Sequence, residues 1–261
     1  MKKILQIGLI LSLFFSIHTL SAHDLKGAVA SDDRSPKNII RDNHRNPLET
    51  LSFFGLESDM VIVELSPGGG WYTEILANFI HYPGTIIAAH FSTDSERAYF
   101  KRSRSNFEKK MASDSMYGRV EIVDLDSELS DPSTVDAVLT FRNLHNWLGP
   151  TMDSIFSNTH KALKPGGIFG IVEHRAKPGT SMDMMRKSGY VTEAHAIAIA
   201  EKHGFELVAK SEINANPKDL KDHPKGVWTL PPNLRLKETD KEKYLEIGES
   251  DRMTLLFRKP I

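Results

Sequence analysis

From residue 60 onward, short apolar-rich segments of strand length alternate with longer stretches in which apolar positions recur every three or four residues. The strand-length segments are 60–65, 85–89, 119–125, 135–141, 168–172, 205–210 and 252–258. Helical spacing occupies 71–80, 95–111, 152–163 and 192–203, the third stopping at Pro165-Gly166-Gly167 and the fourth at Gly204. Strands covered on both faces lose their polar alternation, so this order predicts an α/β fold with a mostly parallel sheet between two helical layers. Residues 214–250 break the rhythm with prolines and charges. No crossover helix is evident between 205–210 and 252–258, so the last strand is expected to run antiparallel.

Before the first strand the signals are local. Residues 23–34 (HDLKGAVASDDR) are small and polar and read as a linker, while Ser35-Pro36 and Asn46-Pro47 each look like a helix start. The organisation expected is a leader over 1–22, a linker and helical extension over 23–50, and one domain over 51–261 with an insertion at about 214–250. The leader, MKKILQIGLILSLFFSIHTLSA, has a basic start, an apolar middle and a small-residue exit, the order of a secretory signal. The expectation is export, to the periplasm if the source is a Gram-negative bacterium, with an uncleaved N-terminal anchor as the alternative. Cleavage would leave no stable membrane insertion.

Composition narrows the field a little further. The 261 residues carry 33 basic and 34 acidic side chains, so no basic footprint points to nucleic acid. The absence of cysteine removes disulfides, thiolate metal sites and cysteine nucleophiles. Oligomeric state has no signature here.

The chemistry concentrates in VIVELSPGGGWYTEIL, residues 61–76, where a strand ends in an acid, a glycine loop follows and a helix begins. Glycines at such a junction let a ligand approach the backbone, and the helix start offers unpaired N–H groups. Dinucleotide sites favour G-x-G-x-x-G with an acid ending the next strand; Thr73 breaks that spacing and His90 stands at the acid's place. The other register, Glu64, Ser66, Gly68 and Gly70, resembles the nucleoside loop of class I S-adenosylmethionine (SAM) methyltransferases, acid-x-G-x-G-x-G, with Ser66 at the first glycine position. The resemblance continues through DAVLTFRNLHNW (136–147), ALKPGGIFGIVEH (162–174) and HGFELVAK, and spans roughly residues 50–261. Together with the leader, PGGGWYTE and VEHRAKPGT look like an exported branch of that superfamily.

The resemblance implies a Rossmann-like sheet of seven strands with the last antiparallel, and SAM as cofactor. It implies cofactor contacts from Glu64, Ser66, Gly68, Gly69, Gly70, His90, Asp124, Leu125 and Asn143. His90 replaces the acid that the family uses for the ribose hydroxyls, and an imidazole can make one such hydrogen bond but no bidentate contact.

Open α/β sheets hold ligands at the carboxyl ends of their strands, which makes His145, Glu173 and His174 candidates for acid–base work and Tyr72 a candidate for orienting the donor. Trp71, Phe141 and Trp147 are candidates for an apolar acceptor pocket. His90, His145 and His174 all end strands on one edge, yet no H-E-x-x-H occurs and no metal is assigned. The function expected is methyl transfer from SAM to a small-molecule acceptor; the alternative is a non-catalytic binder of a nucleoside or other small metabolite on the same fold.

Overall fold

A computed structural model describes residues 24–261, so the leader and its cleavage site lie outside the described residues. Seven strands, β1 (Val61–Leu65), β2 (Thr85–His90), β3 (Val120–Asp124), β4 (Val135–Phe141), β5 (Leu163–His174), β6 (Glu206–Ser211) and β7 (Arg252–Arg258), form one sheet. Their order is β3-β2-β1-β4-β5-β7-β6. The first five are parallel, and β7 runs antiparallel to both its neighbours. The α/β architecture and the antiparallel last strand therefore match the expectation from apolar runs.

Alternate residues of each central strand enter two separate cores. Val63, Val138 and Phe169 pack with the Pro150–Ala162 and Glu193–Lys202 helices. Ile62, Leu139 and Val172 pack with the Trp71–Phe79 helix and with Leu51 and Phe54. The chain winds outward from β1 through β2 and β3, then returns to place β4 on the other side of β1. This reversal leaves a crevice above the carboxyl ends of β1 and β4, where sheets of this type bind ligands.

Three segments differ from the reading by pattern. Within the segment read as a linker, the described residues 24–34 are not plain linker: Leu25–Val29 is helical, capped by Asp24, with Ala28 buried in the second core. Arg34 is buried and paired with Asp42 at 2.7 Å. Pro165-Gly166-Gly167 lies within β5 rather than ahead of it, because that strand begins at Leu163. Residues 214–250 hold a short 3-10 turn, Gly226–Thr229, and a helix, Lys241–Ile247.

That last segment folds back over the crevice as a roof. Its approach depends on Gly226 (φ +57°), where an added Cβ would lie 2.0 Å from the Ser188 carbonyl oxygen. Among the described residues no helix is long and apolar enough to cross a membrane.

Candidate active site

The glycine loop starts from a buried carboxylate. Glu64 sits on β1 opposite Leu139 of β4, and Thr73 Oγ1 donates to its Oε2 at 2.6 Å. Burial pushes the Glu64 carboxyl up to about 7, with Thr73 and Lys110 pulling the other way. Ser66 follows in the left-handed region (φ +51°), which explains why glycine is usual there: a side chain is strained in that conformation. Its Oγ is buried without a hydrogen-bond partner in the wall of a cavity of about 340 Å³ that Gly68, Gly69, Trp71, Phe141 and Asn143 also line.

Added Cβ atoms at Gly68 and Gly69 would meet nothing within 4 Å, so the loop faces open space. Asn143 Nδ2 donates to the carbonyls of Leu65 (3.2 Å) and Ser66 (3.3 Å), tying the end of β4 to the loop. Lys110 Nζ donates to the Gly69 and Gly70 carbonyls, both at 3.0 Å, and pairs with Glu74 at 2.7 Å.

The ends of β4 and β5 bring together a second group. His145 Nδ1 lies 3.0 Å from Glu173 Oε1. The same carboxylate accepts from the Leu144 N–H through Oε2 and from the His174 N–H through Oε1. Since a carboxylate so used only accepts, His145 Nδ1 is the donor, and its Nε2 keeps a free lone pair. His174 stands beside it, ring centroids 5.2 Å apart, with Nδ1 bonded to Ser250 Oγ. Burial, then the neighbouring His145 and Arg142, push the His174 imidazole well below its ordinary value, so it is neutral.

Both histidines line a cavity of about 460 Å³, roofed by Trp228, Pro231 and Pro232. Trp228 meets His145 edge-on at 5.9 Å. Ligand atoms of His145, Glu173 and His174 lie within 4.8 Å of one another, but the hydrogen bonds above already use the Glu173 oxygens.

The two cavities share Arg41, Arg45, Gly69 and Arg142. At about 340 and 460 Å³ each is within the range of small-molecule sites, roughly 300–1,000 Å³. A wider cleft of about 580 Å³ opens beyond the loop, between Gly68, Gly69 and the Ala98–Met111 helix.

Ser66, Gly68, Gly69 and Asn143 line the first cavity, and His145 and His174 the second; Glu64 and Glu173 are buried outside both linings, bonded to Thr73 and His145, and Gly70 caps the Trp71–Phe79 helix. The structure does not bring the remaining candidates to either lining. His90 accepts from the Phe91 N–H at Nδ1 (2.7 Å) and donates from Nε2 to the Gly68 carbonyl (3.2 Å), so both ring nitrogens are engaged and one of them holds the loop. Asp124 is paired with Arg104 at 2.7 Å, and Leu125 is buried in the core. Tyr72 stacks on Phe141 at 3.5 Å with its hydroxyl toward the Arg45 carbonyl. Trp71 and Phe141 line the first cavity, whereas Trp147 packs in the core. Pattern reasoning passed over Arg41, Arg45, Arg142, Trp228 and Glu249. One signal was available, an arginine immediately after the buried strand 135–141.

Residues 63–171 match the family model of the methyltransferase domain. An uncharacterized methyltransferase of Synechocystis sp. is 29% identical over 134 residues, 51% of this chain and 54% of that protein, so the match spans about half the length of that relative. Among solved structures, a SAM-dependent methyltransferase from Aquifex aeolicus is similar with a TM-score of 0.58 at 14% identity, over 88% of this chain and 96% of that one. Phosphoethanolamine N-methyltransferase 2 of Haemonchus contortus, in complex with S-adenosyl-L-methionine, is similar at 0.56 and 17% identity, over 92% and 57%. A [4+2]-cyclase reaches 0.60 at 15% identity, over 91% and 92%. The fold is the Rossmann-like fold of class I SAM-dependent methyltransferases.

Proposed function

We propose that the protein transfers a methyl group from SAM to a small-molecule acceptor. The observation that carries this reading is the pairing of two joined cavities at the switch point, one walled by the glycine loop and the other by His145, which Glu173 holds from behind, and His174. The residues present fit SAM: Gly68 and Gly69 leave room along the loop, and the buried Ser66 Oγ lacks a partner. Glu64, Ser66, Gly68, Gly69 and Asn143 would hold it.

When bound, SAM supplies an electrophilic methyl group on a sulfonium. The protein's part is positioning and exclusion of water, which the Trp228 roof serves. His145 Nε2 takes the proton of an acceptor O–H or N–H, and Glu173 steadies the imidazolium that results. His174, neutral and fixed by Ser250, keeps a second charge away from that imidazolium.

Calorimetric titration of SAM into the purified protein tests this, with Glu64→Ala as control. Binding should weaken on the order of 10- to 100-fold in the control, the worth of a charge-assisted hydrogen bond. No binding to the folded wild type would sink it.

A second reading, a binder or a different chemistry on the same fold, draws support from Ser66 at a glycine position and from the [4+2]-cyclase likeness. Saturable binding of a nucleoside without SAM binding would select it. We also propose that the domain works outside the cytosol, on the strength of the leader, as an exported branch of its superfamily. Cell fractionation with N-terminal sequencing of the mature chain tests that; a cytosolic protein that keeps residues 1–22 would refute it.

A further inference from the structure

Four guanidinium groups converge where the two cavities meet, and one carboxylate serves them. Glu249 Oε1 accepts from Arg41 at 2.8 and 2.6 Å, and Oε2 from Arg45 and Arg252 at 3.3 and 3.2 Å. Arg252 also donates to the Ser250 and His44 carbonyls. Both Glu249 oxygens are thus spent on three arginines. The fourth, Arg142, has its Nη1 buried with no hydrogen-bond partner and forms no ion pair among the described residues. It lines both cavities, and its backbone is held in the left-handed region (φ +62°) by an N–H bond to the Val172 carbonyl at 2.6 Å. Strain of this kind, at a charged residue in a cavity wall, marks a position held for a ligand rather than for the fold.

The balance of charge says what the ligand must be. Four arginines against one glutamate leave three positive charges unanswered at the junction, and His174 beside them is neutral. SAM does not answer them. Its carboxylate can take one arginine, but its ammonium and sulfonium bring two further positive charges. A divalent cation on the nearby histidines would worsen the excess, and the Glu173 oxygens are already used. Buried guanidinium groups left unpaired are costly, and their planar donors match carboxylate and phosphate oxygens.

We infer, on the reading of this site as a methyl-transfer centre, that the acceptor is an anion whose carboxylate or phosphate group docks on Arg142 in the cavity under Trp228. One of Arg41 and Arg45, each also bonded to Glu249, serves the donor's carboxylate. The anionic group anchors the acceptor at one end and leaves its nucleophilic O–H or N–H beside His145.

The test titrates the purified protein, with and without saturating SAM, with inorganic phosphate, malonate and the neutral control malonamide at fixed ionic strength. One or both oxyanions should bind saturably and malonamide should not. In Arg142→Gln the oxyanion should bind at least tenfold more weakly. Arg142→Lys, which keeps the charge and loses the planar fork, should lose at least threefold and serves if the glutamine variant does not fold. Absence of oxyanion binding, or equal binding in the folded variants, overturns the inference. The SAM titration separates the two readings. Oxyanion binding without SAM binding removes methyl transfer and leaves the anion site, whereas SAM binding without oxyanion binding removes the anionic acceptor alone.

Discussion

The His145 ring and the Glu173 carboxylate, 28 residues apart in the chain, meet at 3.0 Å because β4 and β5 are neighbours in register. The contact fixes which ring nitrogen carries the proton. Glu173→Gln should therefore let His145 exchange tautomers, visible as a change in its ¹⁵N ring shifts. Methyl transfer in single turnover should fall on the order of 10²–10⁴-fold, the usual worth of a positioned base. SAM affinity should hold, since the carboxylate lines no part of the loop cavity; a parallel loss of SAM binding would make Glu173 merely structural.

Glu64 should set a pH dependence of stability. Its folded value, about 7, lies above the ordinary 4.5, so its stabilising contribution is complete below about pH 4.5 and is lost as pH rises through 7. Glu64→Gln keeps the Thr73 contact without the charge. It should be more stable than wild type by about 3 kcal/mol at pH 8 and equal to it at pH 4. Urea unfolding at both values checks this, and a pH-independent difference would contradict it.

One buried acid gathers several of the bonds that hold the roof. Asp219 accepts from the Tyr190 hydroxyl at 2.9 and 3.0 Å, lies 2.8 Å from His223 Nε2, and accepts from the backbone N–H groups of Lys221 and Asp251. Asp219→Ala strands these donors and should cost about 2–4 kcal/mol. The loss should centre on residues 214–250, so limited proteolysis should cut there first, with SAM binding outlasting oxyanion binding. Even cleavage across the chain would point to global unfolding instead.

How much of this was legible follows from how local each signal is. The strands declare themselves because a parallel strand covered on both faces is mostly apolar, and 135–141 matches residue for residue; the antiparallel 252–258 also matches, its apolar centre standing between two arginines. The glycine loop is legible because its acid, serine and glycines are contiguous. His145, Glu173 and His174 could each be picked out as strand ends, but not the bond between two of them, which depends on β4 lying beside β5. The arginine cluster was invisible for the same reason. Arg41 and Arg45 come from the N-terminal helices, Arg142 from the end of β4 and Arg252 from β7, and only the folded chain brings them to Glu249. The end of β2 was legible as the place of His90, but not the bonds of its ring nitrogens to the Phe91 N–H and the Gly68 carbonyl, which depend on the fold.

Ser66→Gly would restore the glycine that its left-handed backbone favours. Relief of that strain should stabilise the free protein by about 1 kcal/mol. The variant also removes the buried Oγ that lacks a partner, so SAM should bind roughly 3- to 10-fold more weakly if that oxygen bonds the ligand. Thermal melts paired with calorimetry check both halves; unchanged affinity would leave Ser66 a tolerated strain without a ligand role.

Arg142 makes the same conflict larger. It holds a left-handed backbone and a half-buried charge, and burial pushes its guanidinium down to about 10, with Arg252 and Arg41 adding to that and Glu249 opposing it. Neither feature helps the free fold. Arg142→Gly removes both, and even after the entropy that glycine loses on folding, the variant should be more stable than wild type by about 1–2 kcal/mol. If an oxyanion is what the residue awaits, the order should reverse in saturating malonate, which stabilises only the protein that binds it. A glycine variant less stable than wild type without any ligand would mean that Arg142 supports the fold through contacts of its own, and that its strain is not kept for a substrate.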